Sequence, residues 1–540
     1  MRRDDRTHGN GQTRGLSRQE FLRASAILGL GASLPGFTLW GSSAQAAGEP
    51  RYGGVLTFNL TANPPNFDPL GGSSSTVLGV IGPCYNGLLM FDPLDPNKII
   101  GDLAQSWQLS ADGKVYTFAL VKNAKFHDGK PLTSADVKFT FDTMRNPPAG
   151  IVSARKGAVS VVETIEAPDD YTVRFVLKQP TPSFLDTLAS GWMVILPKHV
   201  LEKGPIKDTI MGSGPFMLKT YSHGVSVELV KNPNYHIKGR PYLDGIKAFI
   251  IPDQGTTYSY LKTGQLHIYV SIQGQEAGQF KSQGDVVVLE SPSTSVIGVT
   301  YNARVAPFDK LAVRKAASLA IDRAAALEVL QKGQGVFGGA VMPGPWSMPT
   351  AELEKIPGYS ADHGANLVEA RRLLAEAGYP NGLTVKLLVR RIALFEPVGI
   401  FIKDQWAKIG INVTLDVQEN AAFFAMQEKR EFQGLVKGGS FNSSDPDEMR
   451  DTYNCRGGNN EAGFCSPDLD TLFEKMSGTL DPVERKKLAN QWEKAVLADY
   501  GVYYMYWRKR FMGHYKTVNG LVLHPNIDNN FRMQDLWLSA

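Results

Sequence analysis

The chain has 540 residues, too many for a single hydrophobic core, so two or three domains are expected. At 43% hydrophobic and 20% charged residues it has the composition of a globular protein, not a disordered or fibrous one. Its formal charge of +4 sits mostly in residues 1–46, where six arginines face Asp4, Asp5 and Glu20; the remainder is close to +1 and calls for neither nucleic acid nor a membrane surface.

That first segment reads as an export signal. Arg2, Arg3, Arg6, Arg14, Arg18 and Arg23 form a basic region, Ala24 to Trp40 is uncharged, and Ala44-Gln45-Ala46 supplies small residues for cleavage after Ala46. Its glycines and Pro35 leave the apolar stretch short for a membrane span. SRQEFLR, Ser17 to Arg23, resembles a twin-arginine signal with Gln19 in place of the second arginine, which keeps both that route and general secretion open. No cysteine follows closely enough for a lipid anchor, and a soluble periplasmic protein is expected.

Four segments beyond the signal alternate with period two and predict strands: Val55 to Leu60, Val115 to Leu120, Tyr171 to Leu177 and Val225 to Val230. PLTSADVKFTFD predicts a helix capped by Ser134 that packs Val137, Phe139 and Phe141. Val313 to Leu330 carries a helical apolar stripe with Asp309 as its expected N-cap. Ala365 to Gly378 and Val398 to Gly410 each end on glycine, and the second leads into the strand INVTLDV. Helix, glycine stop, strand is the pattern of α/β lobes.

Catalytic signatures are scarce. The chain has no H-E-x-x-H, G-x-S-x-G or P-loop motif, and the one G-x-G-x-x-G, Gly333 to Gly338, follows a helix where a dinucleotide site needs a strand. His127, in KFHDGKPL, is expected at a turn or on the surface, and WRKRF, Trp507 to Phe511, at a solvated strand end. Of three cysteines, Cys455 and Cys465 share one polar loop. In an oxidising compartment they are expected to form a disulfide, since no histidine lies between residues 364 and 513 to complete a zinc site. Cys84 is expected to be a buried free thiol. Neither a metal nor a cofactor is called for.

Beyond these readings, six blocks in order resemble the solute-binding proteins of peptide-type ABC importers, the dipeptide, oligopeptide and nickel group. They are Leu103 to Asp142, GSGPF from Gly212, Asn232 to Ile246, YLKTGQL from Tyr260, Tyr301 to Arg323, and LLAEAGYPNG from Leu373. The resemblance implies an α/β, two-lobed periplasmic-binding-protein fold of enlarged type II, with a subdomain inserted in the first lobe. The expected division gives lobe I residues 51–81, 206–288 and 501–540, its inserted subdomain 82–205, and lobe II 289–500.

It also implies a monomeric, non-enzymatic carrier. Such a carrier closes on a short peptide between its lobes and delivers it to ABC permease subunits driven by a separate ATPase. A non-peptide solute (an opine, an oligosaccharide or a chelated metal) is the alternative, and an exported hydrolase or chaperone a further one. By the same resemblance Asp445, in SFNSSDPDEM, is expected to hold the peptide ammonium, with Asp447 as the other candidate. Arg390 and Arg391 are expected to meet the terminal carboxylate. N-terminal sequencing of the exported protein should begin at Ala47; retention of residues 1–46 would refute the cleavage assignment.

Overall fold

Alternating β-branched and aromatic residues give Val55–Leu60 one face packed at 0–3% exposure, and this strand is the centre of the first half of an eleven-stranded sheet. The computed structural model describes residues 49–539, apart from 73, 150, 152, 273, 283, 361, 392, 393, 442, 458, 459 and 500 and the side chains at 275, 420, 421, 428 and 451. The export signal expected over residues 1–46 lies outside the described residues.

Across the sheet the strand order is Ile411–Gln418, Leu383–Arg390, Gly434–Ser440, Val286–Tyr301, Val502–Tyr515, Ile268–Ile272, Val55–Leu60, Gly245–Ile250, Ser226–Lys231 and Phe216–Ser222. The short strand Gly335–Val336 adds to Val502–Tyr515 off this path. Two long antiparallel strands, Val286–Tyr301 and Val502–Tyr515, run through the middle and belong to both halves. At one end Val286 pairs with Tyr515; at the other Thr300 pairs with Val502. Their register shifts between Pro292 and Val296 and again between Ile297 and Gly298. The ladder is thus interrupted where the chain passes from one half to the other.

Each half has its own core. One gathers Leu56, Phe58, Leu60 and Ile246 with residues 67–216 and the C-terminal Phe531, Met533 and Leu536. The other packs Tyr301, Phe308, Ile402 and Trp406 between the sheet and the helices Leu311–Leu319, His363–Glu376 and Glu396–Ala407. A four-stranded sheet, in the order Ala104–Leu109, Val115–Leu120, Thr172–Leu177, Val162–Asp169, stands on the first core. It is fixed there by edge-to-face contacts of Phe118 and Phe141 with Phe175. Among the described residues no helix is long and apolar enough to cross a membrane.

Several local expectations are corrected. The helix expected over Val313 to Leu330 is two helices, Leu311–Leu319 and Arg323–Gln331. Asp322 caps the second by accepting the Ala325 N–H at 2.9 Å, and buried Arg323 turns inward between the rings of Tyr359 and Tyr503. Asp309 caps nothing; Lys310 occupies the N-cap. Ser134 is the first helical residue, not the cap, and its hydroxyl donates to Asp169 O. The cap is Thr133, whose N–H reaches the Asp136 carboxylate at 2.9 Å. WRKRF lies inside a sheet strand, with Trp507 and Phe511 buried and Arg510 donating to the carbonyls of Val270 and His524. The central position of that strand overrides its charge. His127 is partly buried at a turn, and burial pushes its imidazole down to about 4.

Gly378 and Gly410 close their helices at φ +92° and +86°, as their sequence positions predict. Cys84 is a fully buried thiol, and Cys455 and Cys465 are joined as a disulfide ten residues apart. Thiol titration of the denatured, unreduced protein should therefore count one thiol, and three would rule the bridge out. Cys455→Ala should lower the unfolding free energy by about 2–4 kcal/mol.

Candidate functional site

Helix Pro482–Asp499 buries one stripe, and that stripe carries two charges. Arg485, Leu488, Ala489, Trp492, Glu493, Val496 and Leu497 all face inward. Asp481 starts the helix by accepting the Glu484 N–H at 2.8 Å, with Pro482 in the first turn. Arg485 is 2% exposed and Asp445 3%, and the two meet through paired contacts, Nη1 to Oδ2 at 2.6 Å and Nη2 to Oδ1 at 2.8 Å. This two-pronged geometry is the strongest that guanidinium and carboxylate form. The Trp346 ring covers the guanidinium at 4.8 Å. Asn490 donates to Trp346 O at 2.8 Å, and Glu493 takes the N–H groups of Val341 and Met348, both at 2.8 Å. One helix thereby fixes the loop, the loop fixes the ring, and the ring covers the cation.

Asp445 opens a 3₁₀ turn, Pro446–Met449, by accepting the Asp447 N–H at 2.9 Å. The turn projects Asp445, Asp447 and Glu448 into a cavity of about 600 Å³. Ser183, Asp186, Thr187, Ser190 and Trp192 of the first lobe line the other wall, with Arg155 and Lys178. Across the cavity the Ser183 hydroxyl donates to Asp447 Oδ2, and beside it Gln179 donates to Glu474 at 3.3 Å.

Around the Asp445 turn, Asp445, Asp447 and Asp186 act on one buried guanidinium, that of Arg485. Asp445 is saturated by Arg485, which also approaches Asp447 Oδ2 at 3.3 Å, while Asp447 Oδ1 is buried without a hydrogen-bond partner. Burial, then the Asp445 carboxylate, raises Asp447 above the usual carboxylate range. Asp186 is pushed up to about 7, first by burial and then by Asp445. A cation placed here would relieve both. Among the described residues no group of His, Cys, Asp and Glu is arranged to hold a metal ion.

The structure brings Asp445 and Asp447 to the cavity and leaves Arg390 and Arg391 away from its wall. Arg390 stacks over Phe395 at 4.6 Å and Phe424 at 5.2 Å; Arg391, exposed, pairs with Glu419 at 3.0 Å. Sequence reasoning missed Asp186, Arg485 and Ser183. For Arg485 a signal exists: a charged residue on the apolar stripe of a helix that begins Asp481-Pro482 demands a buried partner. Asp186 carries none, because only the packing of two distant segments makes its position acidic.

Two lobes sharing one sheet with a cavity between their walls is the architecture of a periplasmic-binding-protein fold. Residues 98–461 match the family described as bacterial extracellular solute-binding proteins, family 5, middle region, and the chain belongs to that family. It is 27% identical to the dipeptide-binding protein of Escherichia coli over 87% of this chain and 91% of the relative. Its structure is similar to that of the Helicobacter pylori binding protein DppA in complex with the peptide STSA, at TM-score 0.76 and 25% identity, covering 91% of this chain and 99% of that one. It is also similar to the periplasmic binding protein AgaA of A. tumefacien in complex with agropinic acid, at TM-score 0.74 and 27% identity, covering 90% and 99%.

The raised carboxyl groups have a consequence for stability. Asp186 at about 7, Glu493 at about 7 and Asp499 at about 6 all lie above their ordinary values, each chiefly through burial. Between the unfolded and folded pKa values the native state binds more protons, so these groups make stability fall as pH rises from about 4 to 7. Thermal unfolding of ligand-free protein across this range should show that decline. Asp186→Asn should flatten it, and an unchanged profile would refute the assignment to Asp186.

Proposed function

We propose that this protein is the periplasmic binding component of an ABC importer and that its solute is a short peptide held by its free amino end. The observation that carries the reading is the acidic junction, where three carboxylates from two lobes share one buried guanidinium. A cationic head group is the natural complement, because a buried unpaired carboxylate costs several kcal/mol. An α-ammonium has three donors, and the Asp447 and Asp186 carboxylates on the two cavity walls are its acceptors in this reading. Asp445, locked by Arg485, shapes the turn and adds field without having to bond the ligand.

The relatives support the peptide, since those above include a dipeptide-binding protein and a structure with a bound peptide. In this reading the lobes close over the solute by flexing at the two central strands. The closed monomer then docks on permease subunits powered by a separate ATPase, and no catalytic step takes place. A second reading, an opine as solute, is supported by the likeness to the agropinic acid complex.

Asp186→Asn and Asp447→Asn should each weaken binding of peptides with free amino ends by about 2–5 kcal/mol, measured by calorimetry. N-acetylated peptides should bind wild type and both variants equally poorly. Asp445→Asn should also destabilise the fold by about 3–5 kcal/mol, because it strands Arg485. Equal binding of acetylated and free peptides would overturn the ammonium anchor and favour the opine.

A further inference from the structure

The second charge of the solute needs a partner, and the arginines that the sequence offers for it stand elsewhere. Arg390 lies against phenylalanine rings and Arg391 is paired with Glu419, neither on the cavity wall. The wall holds another guanidinium. Arg155, partly buried, stacks on Trp192 at 4.2 Å, and both line the cavity. Its Nη2 donates to Gly72 O, and its Nε is buried without a hydrogen-bond partner.

The carboxylates of the acidic junction do not neutralise it. The acidic groups that act on it are Asp528 and Asp68, and the Asp528 carboxylate already accepts the Trp192 ring N–H at 2.8 Å. Burial lowers the Arg155 guanidinium to about 10, still cationic at neutral pH. Arg155 is therefore a charged, planar group held by a ring on the cavity wall, with no carboxylate paired to it within ion-pair distance among the described residues. Such a fork suits a carboxylate, and its fixed orientation limits the entropy lost on binding.

Resting on the peptide reading above, we infer that Arg155 on the first lobe, and neither Arg390 nor Arg391, meets the carboxylate end of the solute. The cavity then reads both charges of a zwitterion. Lys178, which donates to Ser160 O at 2.7 Å on the same wall, adds positive field without a fixed fork. Specificity follows: a solute with a free amino end and a blocked carboxyl loses the Arg155 contact, whatever its side chains.

The test uses the full mature protein and a panel of di- and tripeptides in free, N-acetyl and C-amide forms, titrated by calorimetry. Wild type should bind free acids about tenfold or more tighter than the matching amides, the size of one charge-assisted hydrogen bond. Arg155→Gln should erase that ratio while keeping the preference for free over acetylated amines. Arg155→Lys, which keeps the charge and the packing on Trp192, should retain part of the ratio, and Arg391→Gln all of it.

Equal binding of acids and amides by wild type overturns the inference and leaves the ammonium anchor standing. So does a ratio preserved in Arg155→Gln or lost in Arg391→Gln. Loss of discrimination against acetylated peptides alone overturns the ammonium anchor and spares Arg155. Failure of every peptide to bind overturns both.

Discussion

The buried pair of Asp445 and Arg485 is the constraint on which the site depends. Without the guanidinium, three acidic residues could not sit together at the closed face between two lobes. Without Asp445, the guanidinium would be buried in an apolar helix stripe with only a weaker contact to Asp447. Each makes the other tolerable, and both are oriented by parts of one helix. Glu493 and Asn490 hold the loop that lays Trp346 over Arg485. One wall of the candidate site, the turn 445–448, is thus supported by two sequence-distant segments, 339–348 and 482–493.

Charge distribution explains why this pair does not exhaust the site. One guanidinium matches one carboxylate, and Asp186 and Asp447 remain incompletely compensated, with their protons held more tightly than in water. Residual charge of this kind is costly to keep buried, which is why burial raises both carboxyl groups above their ordinary range.

The shared sheet sets how the lobes can move. Among the described strands, Val286–Tyr301 and Val502–Tyr515 pass through both halves, and their ladder is irregular between Pro292 and Val296. Bending there disturbs fewer hydrogen bonds than bending anywhere within a regular ladder. Close packing fixes the remaining parts. Gly212 and Gly214, in the block GSGPF, lie against the Cys84 backbone where no Cβ fits, so their small size is a packing requirement of the first lobe.

The sequence by itself determined the lobes' elements wherever local physics decides: period-two strands, glycine-ended helices, the paired cysteines of one loop, and an aspartate-proline turn that reached the cavity. These depend on neighbours within a few residues. It misplaced what depends on neighbours far away. WRKRF looks solvated until a central strand position buries it, and the contacts of Arg390 with Phe395 and Phe424 and of Arg391 with Glu419 have no signal in the sequence. Only the tertiary structure brings Asp186 and Arg155 to the cavity wall and Arg485 against Asp445. Burial and electrostatic field act through space, and no spacing along the chain records which distant groups will share one low-dielectric cavity.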